Sequence, residues 1–147
     1  MGTVVAVCLS GKKGEVKKPV ESAFLKAGHG IEGDAHAGDW HRQVSLLAEE
    51  SVDRMRGRGV DLVPGIFAEN LLIKGLNLGS LRVGIRLKVG ESVVLEVTQI
   101  GKECHQGCAI REQVGDCVMP REGVFARVVE GGVAKAGDRI SLISTIT

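Results

Sequence analysis

The stretch V-G-I-R-L-K-V-G-E-S-V-V-L-E-V-T-Q-I, residues 83–100, decides the fold class of this chain. Its first half, up to Gly90, alternates apolar and polar residues, which is typical of a strand with one solvated face. Its second half is an apolar run rich in valine, a β-branched residue that favours pleated sheets. Gly90, between the two halves, is a turn signal. The stretch therefore predicts two strands separated by a tight turn.

Short apolar segments separated by glycine turns recur along the chain, which has 21 glycines and only 3% aromatic residues. Further strands are predicted at residues 3–9, 44–47, 68–73, 123–130 and 136–143. Residues 21–27 fit a short strand or a turn of helix equally well. One helix is predicted from Ala48 to Gly57, because acidic residues occupy its first turn and arginines its last. Residues 17–19, Lys-Lys-Pro, are predicted to form a solvated turn.

These elements predict a mostly β protein. A doubly wound α/β fold would need helices between most strands, and the sequence predicts one clear helix. We therefore expect a small closed or partly open β-barrel, or a sandwich, with one or two helical insertions. The 147 residues match the size of a single domain, residues 1–147.

Charge and hydropathy narrow the possible partners. Lysine and arginine total 19 against 18 acidic residues, so we expect no nucleic-acid partner, because such a domain would carry a basic patch. No run approaches the 18 apolar residues of a membrane span, and no basic leader precedes the apolar N-terminal stretch. The expected location is the cytoplasm, without a membrane partner.

The segment after this pair of strands, residues 101–122, reads G-K-E-C-H-Q-G-C-A-I-R-E-Q-V-G-D-C-V-M-P-R-E and holds most of the candidate chemistry. In a reducing compartment, clustered cysteines more often indicate metal binding or catalysis than disulfides. Cys104 is the main candidate because its neighbours are polar and because His105 could act as its base. The alternative is a buried packing cysteine, which is the common fate of a free thiol.

The other cysteines are weaker candidates. Cys108 could serve as a second ligand or belong to the core, while Cys117 and Cys8 are predicted to be packing residues. A structural zinc site normally uses two close pairs of ligands, and only the loose pair of Cys104 and Cys108 is present. The zinc hypothesis is therefore poorly supported by spacing.

A second unusual stretch lies upstream, where residues 28–43 read G-H-G-I-E-G-D-A-H-A-G-D-W-H-R-Q. Its glycines allow close backbone approach to a ligand, and its histidines and arginine could hold phosphate or carboxylate. The predicted members of this anion pocket are His29, His36, His41 and Arg42. The alternative is a polar surface loop in which Trp40 fills part of the core. Nucleotide-binding glycine motifs and H-E-x-x-H are absent from the sequence.

Four stretches in series resemble the MOSC domain, which is the C-terminal domain of molybdenum cofactor sulfurases and also occurs as a small stand-alone bacterial protein. They are G-I-E-G-D-A-H-A-G-D-W-H-R-Q-V-S-L-L at residues 30–47, P-G-I-F-A-E-N-L-L-I-K-G-L at 64–76, L-R-V-G-I-R-L-K-V-G at 81–90 and L-E-V-T-Q-I-G-K-E-C-H at 95–105. Together they cover most of the chain in the order of the family.

The resemblance implies a barrel related to the small β-barrel domain of pyruvate kinase. It also implies that Cys104 is the family cysteine that carries sulfur or binds the molybdenum of the pterin cofactor. The residues expected to line the cofactor pocket are Asp34, His36, Arg42, His105 and Cys108. Many members have proline before the cysteine where this chain has Glu103, which leaves open whether Cys104 or Cys108 faces the cofactor.

The function expected from this resemblance is binding of molybdopterin, or sulfur carriage in cofactor sulfuration or delivery. Its partners would be the cofactor and the enzymes that make or accept it. If the chain is an enzyme, it would catalyse sulfur transfer or molybdenum-dependent reduction. The alternatives are a small oxidoreductase of N-hydroxylated substrates and a non-catalytic zinc or interaction module. The pyridoxal-phosphate domain of full sulfurases has no room in 147 residues.

One geometric condition follows from the expected function. The partner of the Cys104 thiol is expected in the upstream loop from His29 to Arg42, and not among the neighbouring cysteines. Both segments must therefore lie on the same face of the barrel.

Overall fold

A computed structural model of the chain describes residues 2–12, 16–54, 62–101 and 123–143. Eleven strands, one short α-helix and one 3-10 helix fall within these ranges. They are β1 (Gly2–Leu9), β2 (Lys18–Val20), β3 (Ser22–Lys26), β4 (Gly30–Ile31), β5 (Val44–Ala48), α1 (Glu49–Asp53), β6 (Leu71–Lys74), η1 (Leu78–Ser80), β7 (Arg86–Val89), β8 (Val93–Ile100), β9 (Val124–Glu130), β10 (Gly132–Lys135) and β11 (Arg139–Ile143).

Seven strands form a closed barrel. They follow the order β11-β7-β8-β9-β5-β6-β1, and the sheet closes because β11 also pairs with β1, where Gly2 lies opposite Ile140. The pair β5–β6 is parallel, and the other pairs in the barrel are antiparallel. Strand β2 extends the sheet beyond β1, and β10, β3 and β4 form a smaller second sheet. The predicted mostly β barrel is thus confirmed, and the barrel is closed.

The hairpin of β7 and β8 shows how the sequence pattern produces the barrel wall. Leu87 pairs with Leu95 and Val89 with Val93, and these four side chains are fully buried in the interior. The intervening Lys88 is exposed, as alternation requires. Strand β7 begins at Arg86 and not at residue 83, because the preceding residues form a turn.

The apolar side chains form two clusters, one inside the barrel and one on its outer wall. The interior cluster includes Val4, Leu46, Leu71, Leu95, Val97, Val124, Ala126 and Ile140. The outer cluster includes Cys8, Leu47, Val52, Phe67, Leu72 and Phe125. Successive strand residues point to opposite faces, so Leu46 and Leu47 belong to different clusters. The outer cluster packs α1 and residues 62–68 against the barrel.

Several further local predictions differ from the structure. The strand predicted at 136–143 is β11 from Arg139, because residues 136 and 137 form a turn. The strand predicted at 68–73 is β6 from Leu71, because Ala68 has a left-handed φ of 63° and Asn70 is tied by side-chain bonds to β1 and β5. The predicted solvated turn at 17–19 is wrong: Lys17 is 1% exposed and Lys18–Val20 is a strand. Of the predicted helix, Glu49–Asp53 is helical, and residues 55–61 lie outside the described residues.

Candidate functional site

Two glycines of the barrel, Gly101 and Gly123, flank residues 102–122, the cysteine segment. Cys104, His105, Cys108 and Cys117 lie outside the described residues, so their predicted roles stay predictions. The residues that flank the segment are described: the N–H of Gly101 donates to the carbonyl oxygen of Gly123 at 2.7 Å. One residue inward, Ile100 of β8 pairs with Val124 of β9. The described residues on either side of the cysteine segment therefore lie next to each other on the barrel.

The upstream loop reaches this anchor point. The side-chain amide of Gln99 donates to the carbonyl oxygen of Gly101 at 2.7 Å, and its oxygen lies 2.8 Å from Nε2 of His41. Since an amide oxygen only accepts, His41 Nε2 carries the proton of this bond. The hydroxyl of Thr98 donates to the carbonyl oxygen of His41. Through Gln99 the loop therefore reaches Gly101, the last described residue before the cysteine segment. The segment itself lies outside the described residues, so the condition that both lie on one face stays a prediction.

Arg42 lies beside the same two strands. Its guanidinium carbon is 4.8 Å from the centroid of the Trp40 ring and 5.7 Å from that of Phe125, which pairs with Gln99. A planar guanidinium stacks well on aromatic faces. Its Nε is buried and makes no hydrogen bond to any of the described residues. Since buried donors nearly always have partners, this atom is suited to an anionic ligand.

Asp34 is not an open ligand but half of a buried ion pair. Its Oδ1 accepts from Lys17 Nζ at 2.7 Å, and both side chains are fully buried. The backbone N–H groups of Ser10 and His36 donate to the two carboxylate oxygens at 3.1 and 3.0 Å. Burial by itself would raise the pKa of Asp34, but the bond and charge of Lys17 and the two N–H groups hold it below its ordinary value. Asp34 therefore holds the loop in place as a carboxylate.

His36 lies at the edge of this ion pair. Its Nδ1 is 3.0 Å from Lys17 Nζ, and 21% of its side chain is exposed. Trp40 donates from Nε1 to the carbonyl oxygen of His36 at 2.7 Å, and the two rings are nearly parallel with centroids 6.3 Å apart. Trp40 is partly exposed and is a member of neither apolar cluster. It organises the loop and does not fill the core.

The structure thus brings together most of the predicted anion pocket. His36 and His41 both contact Trp40, and Arg42 stacks on it. His29 precedes the other three residues in the sequence. It lies in the turn between β3 and β4, where its carbonyl oxygen accepts a hydrogen bond from the N–H of Gly38. Gly30 is required here, because a Cβ at its φ of 119° would lie 2.9 Å from the carbonyl oxygen of Gln43.

Sequence reasoning missed two buried ionisable residues, Lys17 and Glu69. Glu69 accepts from the N–H groups of Gly65 and Phe67 at 2.7 and 3.1 Å. Burial raises its pKa to about 7, and those bonds and the charge of Lys17 oppose the rise only in part. No sequence pattern marked either residue, because lysine and glutamate are usually exposed and their burial depends on distant partners.

Cys8 is a packing residue, as predicted. It is fully buried in the outer cluster, and burial, reinforced by the charge of Glu69, raises the pKa of its thiol to about 12. Such a thiol carries no nucleophilic chemistry at neutral pH.

No group of three or more histidine, cysteine, aspartate or glutamate side chains among the described residues is arranged to hold a metal ion. A pocket of about 690 Å³ lies between α1, η1 and the end of β8, and Ile100 forms part of its wall. Among the described helices, none is long and apolar enough to cross a membrane.

Comparisons with known proteins agree with this architecture. The sequence model of the MOSC domain matches residues 33–141. The YuaD protein from Bacillus subtilis has a similar structure, with a TM-score of 0.78 and 21% identity over 95% of this chain and 94% of that one. YiiM from Geobacillus stearothermophilus matches with a TM-score of 0.72 and 19% identity, over 98% of this chain and 76% of that one. For YiiM from Escherichia coli the TM-score is 0.70 and the identity 20%, over 100% and 72%. A search of curated protein sequences found no match.

Proposed function

Because this chain belongs to the MOSC domain family, we propose that it binds the pterin molybdenum cofactor and that the Cys104 thiol ligates the metal or carries sulfur. The main support is that the two described ends of the cysteine segment, Gly101 and Gly123, meet beside Gln99, which contacts His41 of the upstream loop. A ligand held between loop and segment would meet cationic donors and a thiol together.

Two chemical features of the cofactor fit the residues present. Its phosphate needs charged donors, and the buried Nε of Arg42 has no acceptor among the described residues. His36, partly exposed, lies on the same loop. The molybdenum of the pterin cofactor is bound through sulfur, and in this sequence thiols are concentrated at positions 104–117. The donor set of the chain therefore suits both ends of the cofactor.

When bound, the cofactor would supply a metal centre able to exchange sulfur or electrons. The contribution of the chain would be to hold the phosphate with Arg42 and His36 and to present the thiolate of Cys104. Two features make the choice of thiol specific to this protein. Glu103 stands where many members have proline, and Cys108 lies four residues after Cys104. We take Cys104 as the principal thiol and Cys108 as its accessory.

As a sulfur carrier, Cys104 would react with a persulfide donor of the form R–S–SH. Its thiolate would attack the outer sulfur, the S–S bond of the donor would break, and the donor thiolate would leave. No separate oxidant is needed, because the transferred sulfur already has the required oxidation level. The donor would be a partner protein that generates persulfide.

Mass spectrometry of the full chain after incubation with a persulfide donor and with molybdopterin tests the proposal. We expect one added sulfur atom on Cys104 and a cofactor complex, both lost in Cys104→Ser. Cys117→Ser is the matched control and should keep both, while Cys108→Ser shows whether the accessory thiol is needed. If the wild type forms no adduct and Cys104→Ser binds cofactor equally well, the proposal is wrong.

Elemental analysis of the protein purified from its own host separates the alternatives. Molybdenum near one equivalent with turnover of an N-hydroxylated substrate would support the oxidoreductase. Zinc near one equivalent without sulfane sulfur would support a structural module. Molybdenum or sulfane sulfur without turnover is the result expected here.

A further inference from the structure

Lys17 is a fully buried lysine with three side-chain partners. Its Nζ lies 2.7 Å from Asp34 Oδ1, 3.1 Å from Ser10 Oγ and 3.0 Å from His36 Nδ1. An ammonium group has three N–H donors and no acceptor, so these three contacts use its full capacity. Burial of a lysine is costly unless it is paired and hydrogen-bonded. Lys17 therefore connects its own segment to Ser10 and to the loop that carries Asp34 and His36.

The contact with His36 has a chemical consequence. Because the ammonium can only donate, the 3.0 Å contact is a hydrogen bond only when Nδ1 of His36 is the acceptor. The ring proton then lies on Nε2. Asp34 Oδ2, at 3.8 Å from Nδ1, is too distant to compete, and it already accepts from the backbone N–H of His36. The hydrogen bond that Nδ1 accepts from Lys17 thus determines that Nε2 carries the ring proton.

We propose that Lys17 is a positioning residue that holds His36 as an Nε2–H donor for the phosphate group of the ligand. With Nδ1 occupied by Lys17 and Nε2 protonated, His36 donates to an oxyanion and does not ligate a metal ion. The identity of the ligand in this inference rests on the proposed function. The position of the ring proton on His36 does not.

Nuclear magnetic resonance measures the state of His36 directly. Long-range ¹H–¹⁵N correlation spectra of the full-length chain distinguish a protonated Nε2 from a protonated Nδ1, and His36→Gln assigns the signals. We expect wild-type His36 to be locked with its proton on Nε2. The double variant Lys17→Met/Asp34→Asn removes both buried charges and should give signals averaged between the two tautomers. Lys18→Met, at the exposed neighbouring position, is the matched control and should match wild type.

Ligand affinity provides the second measurement. Trp40 is the only tryptophan and the chain has no tyrosine, so intrinsic fluorescence reports on this loop. We expect inorganic phosphate to change that fluorescence and to bind roughly tenfold more weakly to the double variant, the effect of losing one oriented, charge-assisted hydrogen bond. Lys18→Met should bind phosphate like wild type.

The results that would overturn the inference are specific. A wild-type His36 with its proton on Nδ1, an unchanged tautomer in the double variant, or an unchanged phosphate affinity would each contradict it. The wild-type spectrum is decisive even if the double variant does not fold. If the tautomer and phosphate results hold while molybdopterin fails to bind, the proposed function is wrong and the role of Lys17 stands.

Discussion

The N–H of Gly101 donates a 2.7 Å hydrogen bond to the carbonyl oxygen of Gly123, and this bond continues the ladder of β8 and β9 beyond their last residue pair. Gly101 has a φ of 69°, which glycine adopts without steric cost. The barrel thereby fixes both ends of the cysteine segment against each other. The two ends of the cysteine segment therefore meet next to Gln99, whose side chain also contacts His41 of the upstream loop.

Arg42→Lys tests the role of the planar guanidinium. Lysine keeps the charge but cannot stack as a plane between Trp40 and Phe125 or offer Nε to a ligand. We expect phosphate affinity, followed by Trp40 fluorescence, to fall about tenfold while the free energy of unfolding changes by less than about 1 kcal/mol. Arg127→Lys, in the exposed pair with Glu96, is the control and should leave affinity unchanged. Equal affinity in both variants would contradict the role of Arg42.

Glu69 predicts a pH dependence of stability. Its pKa is raised to about 7 in the folded protein, above the value of about 4.5 expected when unfolded, so the folded state binds the extra proton. The stability that protonated Glu69 contributes is fully present below a pH of about 4.5. As the pH rises to about 7, the free energy of unfolding should fall by about 3 kcal/mol through this contribution.

The comparison with Glu69→Gln isolates this effect from other titrating groups. Urea unfolding between pH 4.5 and 8 should show the wild type losing stability relative to the variant across that range. Glutamine cannot accept both backbone bonds of Gly65 and Phe67, so the variant should carry a constant cost at every pH. A difference that does not change with pH would mean that Glu69 is ionised throughout.

Gly65→Ala should destabilise the protein strongly. A Cβ at Gly65 would lie 2.0 Å from the carbonyl oxygen of Lys17, in addition to the strain of its φ of 91°. Gly84→Ala is a matched control, because its φ is 96° but its Cβ would meet nothing within 4 Å. We expect Gly84→Ala to lower the free energy of unfolding by about 1 kcal/mol through φ strain. Gly65→Ala should lower it by at least about 2 kcal/mol more. Chemical unfolding that gives equal costs would refute the close approach of Gly65 to Lys17.

Cys8 should resist alkylation in the folded protein. Its thiol is fully buried with a pKa of about 12, so at pH 8 roughly one molecule in ten thousand carries the thiolate. Peptide mass spectrometry after iodoacetamide treatment should find Cys8 unmodified in buffer and modified in urea. Modification in buffer at the rate of a free thiol would show that Cys8 is accessible.

The strands were largely predictable because their signal is local. The alternation in residues 83–100 places Leu87 and Leu95 on one face whatever the rest of the chain does. The helix was predicted to extend past Asp53 because its charge pattern continues to Arg56, yet the described helix ends at Asp53 and its C-terminal cap is Arg54. Closure of the barrel by β1 and β11 joins the two ends of the described chain, which no local pattern specifies.

The sequence by itself determined the β fold class, the membership of Asp34, His36 and Arg42 in one loop and the concentration of thiols in one segment, because composition and spacing express these properties directly. Tertiary structure decided that Lys17 is buried against Asp34 and His36, and that the loop meets the base of the cysteine segment at Gln99. The physical reason is that burial of a charge depends on partners distant in sequence. Lys17 can be buried because Asp34, seventeen positions away, accepts a hydrogen bond from its Nζ at 2.7 Å, and because Ser10 and His36 contact the same Nζ.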